Sequence, residues 1–259
     1  RLPRIVVVSE NSIADIHTDM KVSLDRMRLV PVGVDPDLFK PIPSVARKPH
    51  YLITTASADV ALKGLAYLLE AVAKLRTERD IHLTIIGKPR AGASADLITS
   101  LGLSDCITYV SGVSDERIVE LYAESTLAVV PSLYEGFSLP SIEAMSTGIC
   151  LVATTGGALP EVTGHDGDTV LSCPPGDAAQ TMLIFRWTMM LLMLGVVASM
   201  VFPFVCAYFP CLPWEVATTP QHSCRQIGVA QAFGAHWSVR PTVQANFVTE
   251  VSAFRAASS

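Results

Sequence analysis

Seven short apolar runs recur between Arg4 and Ala153: RIVVV, RLVPV, YLITT, HLTII, ITYV, LAVVP and CLVA. Each has the length of a β-strand, and the stretches between them read as helices or linkers. In KGLAYLLEAVAKLR the residues Leu65, Leu68, Leu69, Val72 and Leu75 fall at three- and four-residue steps. That spacing predicts an amphipathic helix with Lys63 at its mouth. Strands alternating with helices imply an α/β fold with a doubly wound, mostly parallel sheet. Such sheets bind ligands beyond the carboxyl ends of their strands.

A linker and a change of composition divide the chain. VPVGVDPDLFKPIP, Val30 to Pro43, has four prolines and no sustained period, so residues 1–44 read as the end of a preceding domain plus an extended linker. The chain opens without a methionine or a signal-peptide layout, and most of that preceding domain is expected upstream. Residues 45–177 form the sheet domain. Residues 1–177 carry 15 Lys+Arg and 22 Asp+Glu, whereas 178–259 carry four arginines, no lysine, and only Glu215 and Glu250. All three tryptophans lie in that atypical hydrophobic tail. No charge falls between Arg186 and Glu215, a run longer than the ~20 apolar residues that span a bilayer. Two readings of the tail stand: a transmembrane helix over 183–201, or sequence translated from another frame from near Gln180.

The net charge of -5, with no basic face, excludes a nucleic-acid partner. The six cysteines form no C-x-x-C pair and no metal-ligand rhythm with histidine, which reads as reduced thiols in a cytoplasmic protein, membrane-associated only through the tail. Neither G-x-x-x-x-G-K-[ST] nor G-x-G-x-x-G occurs.

The chemistry concentrates in LYEGFSLPSIEAM, Leu133 to Met145. Pro140 suits the opening of a helix, where its missing N–H is not needed. The backbone N–H groups of Phe137, Ser138 and Leu139 then face the positive end of that helix, an anion site by construction. Glu135 stands in the loop before the helix and Glu143 within its first turn, and both are expected to converge there. Ionised carboxylates only accept hydrogen bonds, and a vicinal diol supplies two donors. A sugar joined to a nucleoside by a diphosphate has diols at both ends and anions between them.

These residues, with VVSENSIADI, RLVPVGVDPDLFKP, the Lys-Gly of DVALKGLAYLLEAVAKL, the run from ITYVSG to LPEV, and PPGD, resemble the retaining glycosyltransferases of the group 1 family with the GT-B fold. The resemblance covers roughly residues 4–177. It implies that 45–177 is a Rossmann-like nucleotide-sugar-binding domain, the donor half of an enzyme that transfers a sugar to an unknown acceptor. By matching position, Glu143 resembles the carboxylate that holds the ribose hydroxyls, and Glu135 the one that contacts the transferred sugar. The Gly136–Leu139 backbone resembles the loop against sugar and diphosphate, and Lys63 the lysine that neutralises the departing diphosphate. Gly112 and Val113 match the region that contacts the base. Ala58 stands where the family usually has an arginine, so Lys88 or Arg90 is expected to complete the cationic clamp. The resemblance implies no cofactor and no metal; the Asp35-Pro36-Asp37 triplet reads as a turn and cap rather than a metal site. The alternative is a non-catalytic or membrane-tethered remnant that at most binds a nucleotide sugar.

Overall fold

The computed structural model describes residues 4–56, 60–164, 166, 169–186 and 188. The seven apolar runs all become strands: β1 (Ile5–Val7), β2 (Met27–Leu29), β3 (Tyr51–Thr55), β4 (His82–Ile86), β5 (Ile107–Val110), β6 (Leu127–Val130) and β7 (Cys150–Thr154). An eighth, β8 (Leu171–Cys173), joins them. The helices are α1 (Glu10–Met20), α2 (Leu65–Arg76), α3 (Ala93–Ser100), α4 (Asp115–Glu124), α5 (Leu139–Ser146) and α6 (Leu159–Thr163).

Six strands form one sheet in the order β5-β4-β3-β6-β7-β8, and every pairing within it is parallel. Counted along the domain this is the order 3-2-1-4-5-6, which reverses direction between β3 and β6 and opens a crevice there at the carboxyl ends. Both faces are covered because successive side chains of a strand point opposite ways. Leu52, Leu83, Ile85, Leu127, Val129 and Val152 pack on one face with Leu68, Leu69, Val72 and Leu75 of α2. Ile53, Ala128, Val130, Leu151 and Ala153 pack on the other with Tyr122 of α4, Ala144 of α5 and Leu159 of α6. The strand-period pattern of the sequence is thus the two-sided core itself.

The sheet domain continues past residue 177. Residues 178–186 are helical, and Ile184 and the fully buried Phe185 join the α2 face of the core. Among the described residues no helix is long and apolar enough to cross a membrane. Most of the 183–201 run falls outside the described residues.

Strands β1 and β2 form a separate parallel pair. Helix α1 between them buries no residue fully, with Ile13 and Ile16 half-buried. In the linker, Asp35 accepts a hydrogen bond from the Asp37 amide at 2.9 Å, a turn of the kind aspartate favours.

Candidate active site

The loops after β3 and β6 meet at the crevice. The Leu133 amide donates to the Leu62 carbonyl at 2.8 Å, which ties one loop to the other. Gly64, at φ +64°, opens α2, and a Cβ there would lie 1.9 Å from the Pro131 carbonyl oxygen. Only glycine admits both the left-handed backbone and this approach. Lys63 is thereby delivered to the second loop, and its Nζ lies 2.7 Å from Oε1 of Glu135. The Ser132 hydroxyl donates to the same oxygen at 2.7 Å.

The Glu135 backbone is fixed from the other side. The Ala158 amide donates to its carbonyl at 2.8 Å, and Gly157, at φ +64°, comes so close that a Cβ would lie 2.3 Å from that carbonyl oxygen. The glycines of TGGALPEV are therefore packing requirements of the loop that carries Glu135.

Ser138 enters α5 with φ 93° and is buried; a non-glycine residue held at positive φ marks a locally constrained backbone. Its hydroxyl is shared with that of Ser141 at 2.8 Å. Among the described residues, the amides of Phe137 and Ser138 donate to no group, and Leu139 is the first residue of the helix, where an amide has no intrahelical acceptor. Three N–H donors are therefore available at the positive end of α5.

Glu143, one turn into α5, meets a different partner. The Tyr122 hydroxyl lies 3.3 Å from its Oε2 and 3.4 Å from the Pro140 carbonyl. Burial, followed by nearby Asp115, raises the Glu143 carboxyl above the usual range against the opposing hydrogen bond from Tyr122. Burial first, and then Glu143, pushes the Tyr122 phenol well above its ordinary value, so it remains a donor. Next to this, a cavity of about 400 Å3 opens at the carboxyl ends of β3, β4 and β5. Thr55, Lys88, Arg90, Gly112, Val113 and Ile118 are among its walls.

The residues predicted from sequence thus fall into adjoining groups. Lys63 and Glu135 are in direct contact, the Gly136–Leu139 backbone follows at the α5 mouth, and Lys88, Gly112 and Val113 line the cavity. The two acids have separate partners, Glu135 with Lys63 and Ser132, Glu143 with Tyr122. Ala58 lies outside the described residues. Sequence reasoning missed Ser132, Tyr122 and the loop's contacts with α1. Among the described residues no group of three or more His, Cys, Asp or Glu is placed to hold a metal ion.

An all-parallel Rossmann-like sheet whose strand order reverses between β3 and β6 is the fold of GT-B glycosyltransferase domains. Residues 49–183 match the family described as glycosyl transferases group 1, and the chain belongs to that family. It is 46% identical over 178 residues to MMP alpha-(1->4)-mannosyltransferase of Mycolicibacterium hassiacum, covering 68% of this chain and 43% of the relative. It is 31% identical over 193 residues to D-inositol 3-phosphate glycosyltransferase of Mycolicibacterium smegmatis, covering 69% of this chain and 44% of the relative. The chain therefore spans less than half the length of these relatives. In fold it is similar to a glycosyltransferase from Rickettsia africae, with a TM-score of 0.64 and 22% identity over 73% of this chain and 54% of the other. It is also similar to the C-terminal domain of the group 1 protein LpcC of Francisella tularensis, with a TM-score of 0.52 and 25% identity over 60% of this chain and 87% of the other.

Proposed function

We propose that this chain supplies the donor-binding half of a retaining glycosyltransferase that moves a hexosyl group from a nucleoside diphosphate to a hydroxyl of an acceptor. The observation that carries the reading is the 2.7 Å contact, at the strand-order reversal, between Lys63 and Glu135, in the loop that runs directly into the amides of Phe137, Ser138 and Leu139, unpartnered among the described residues. In this reading the lysine supplies a cation and the amides supply dipolar donors to the two phosphates.

In this reading the bond from sugar to diphosphate breaks, an acceptor oxygen takes its place with the anomeric configuration kept, and the proton of the acceptor hydroxyl passes to the departing diphosphate. Negative charge grows on the departing phosphate oxygen. Donors already aimed at it stabilise the transition state more than the ground state, and no metal is required for that role. Glu135 accepts from hydroxyls of the transferred sugar and Glu143 from the ribose. Gly112, Val113 and Lys88 form the wall for the base. Without a donor, Lys63 and Glu135 neutralise each other; a diphosphate competes for the ammonium and frees the carboxylate for the sugar. The mannosyltransferase likeness makes a mannosyl nucleotide the first donor to test.

Calorimetric titration with a panel of nucleoside diphosphates and their sugars tests this assignment. Glu143→Ala is expected to weaken every member by about 1.5–3 kcal/mol, the worth of a hydrogen bond to a charged group. Glu135→Ala is expected to weaken sugar-bearing ligands more than bare diphosphates. Equal losses across both variants and both ligand types would sink the separate roles of the two acids.

A further inference from the structure

The first turn of α1 reaches across to the α5 loop. Ser9 Oγ lies 2.7 Å and Ser12 Oγ 3.1 Å from the carbonyl oxygen of Gly136. The two hydroxyls are 2.9 Å apart, and the Ser12 amide donates to Ser9 Oγ at 3.0 Å as the cap of α1. Each serine has one hydroxyl proton. Either both protons go to the carbonyl, or that of Ser9 passes to Ser12, which donates in turn. In both arrangements at least one hydroxyl grips Gly136.

This grip is well supported. Glu161 of α6 accepts from the amides of Glu10 and Asn11 at 2.8 and 3.2 Å, anchoring the start of α1. Farther along α1, Asp15 accepts from the Tyr134 hydroxyl of the same loop. Ser9 is fully buried, so its hydroxyl is committed to these partners.

The consequence lies in the peptide that Gly136 shares with Phe137. The described chain has no cis peptide bond, and in a planar trans peptide the C=O and N–H point in opposite directions. Holding the Gly136 carbonyl against α1 therefore turns the Phe137 N–H away from α1. That N–H is one of the amides without a partner among the described residues.

We infer that Ser12, together with Ser9, is a positioning residue that aims the Phe137 amide at the donor diphosphate, so that the β1–α1–β2 unit tunes a site built on the sheet domain. The inference rests on the diphosphate reading of the α5 mouth. Neither serine touches the donor; each acts through the orientation of one peptide plane.

Ser12→Ala in the full chain removes one hydroxyl and leaves the Ser9 cap of α1 in place. Two readouts separate this inference from the reading beneath it. Without ligand, the Phe137 amide resonance is expected to shift in Ser12→Ala and to return in Ser12→Thr, which restores a hydroxyl. With ligand, Ser12→Ala is expected to lose roughly three- to tenfold in affinity for nucleoside diphosphates, the range of one hydrogen bond, while affinity for the bare nucleoside holds and Ser12→Thr recovers the loss. An unchanged Phe137 resonance, equal losses for nucleoside and diphosphate, or no recovery by threonine would overturn the inference. Should the wild-type chain bind no diphosphate, the donor reading falls, and the Phe137 resonance alone decides whether the serines orient the peptide.

Discussion

The two ends of the six-stranded sheet treat their polar groups in opposite ways. At the amino ends, Arg47 donates to the carbonyls of Tyr122, Ser125 and Gly148, stitching together the approaches to β6 and β7. Arg76 pairs with Asp105 and also donates to the Gly102 carbonyl, and Lys48 pairs with Glu124 at 2.6 Å. A cavity of about 260 Å3 is present there, with Tyr51 and His82 stacked at 4.6 Å in its wall. At the carboxyl ends, the amides at the α5 mouth lack partners among the described residues. Glu143 is partly desolvated there, with a phenol for company. One end is closed on itself and serves stability; the other carries unspent hydrogen-bonding capacity, which is what a ligand site requires.

The sharpest way to break this contrast is to damage the closed end. Arg47→Met is expected to lower stability by about 2–4 kcal/mol, because carbonyl groups lose a charged donor that water reaches poorly. Chemical denaturation measures it, and nucleotide affinity should hold in whatever remains folded. A loss of affinity with full stability would reverse the assignment of the two ends.

A smaller effect of opposite sign is expected at the open end. The native carboxyl of Glu143 lies above its ordinary range, chiefly through burial, so the native state holds its proton at a pH where the unfolded chain has released it. Stability from this group is full below the ordinary glutamate value and is lost as the pH rises through the raised native value. Glu143→Gln should therefore flatten that fall and leave the ligand-free chain somewhat more stable at neutral pH, read as a thermal midpoint across pH 4 to 8. The same change should weaken nucleotide binding, the trade expected when a site is held against its own stability. An unaltered pH profile would place Glu143 in solvent.

Much of the sheet was legible because its signal is local. Seven apolar runs marked seven strands, and the α2 pattern named five residues that are all buried. The eighth strand, Leu171–Cys173, is three residues long with a serine at its centre, too short to show a period. The sheet is parallel throughout rather than mostly so, since no local signal fixes strand direction. Lys63, Glu135 and the α5 mouth were readable from motif order, and the structure places the first two in contact. Tyr122 and Ser132 were not, because a tyrosine in an amphipathic helix and a serine after a strand look like packing and turn residues. Ser9 and Ser12 lie 127 and 124 positions from Gly136, a relation that only folding creates. The charge boundary at residue 177 was legible, yet the helix beyond it buries Phe185 in the same core, so composition changes before the fold does.

The most direct test of the two-ended account is to follow backbone amide resonances while a nucleoside diphosphate is added to the chain. The account predicts that Phe137, Ser138 and Leu139 move first, together with Gly112 and Val113, while Gly102, Asp105 and Ser125 stay in place. Movement concentrated at Asp105 and Ser125, or stillness at the α5 mouth when the ligand is saturating, would contradict it.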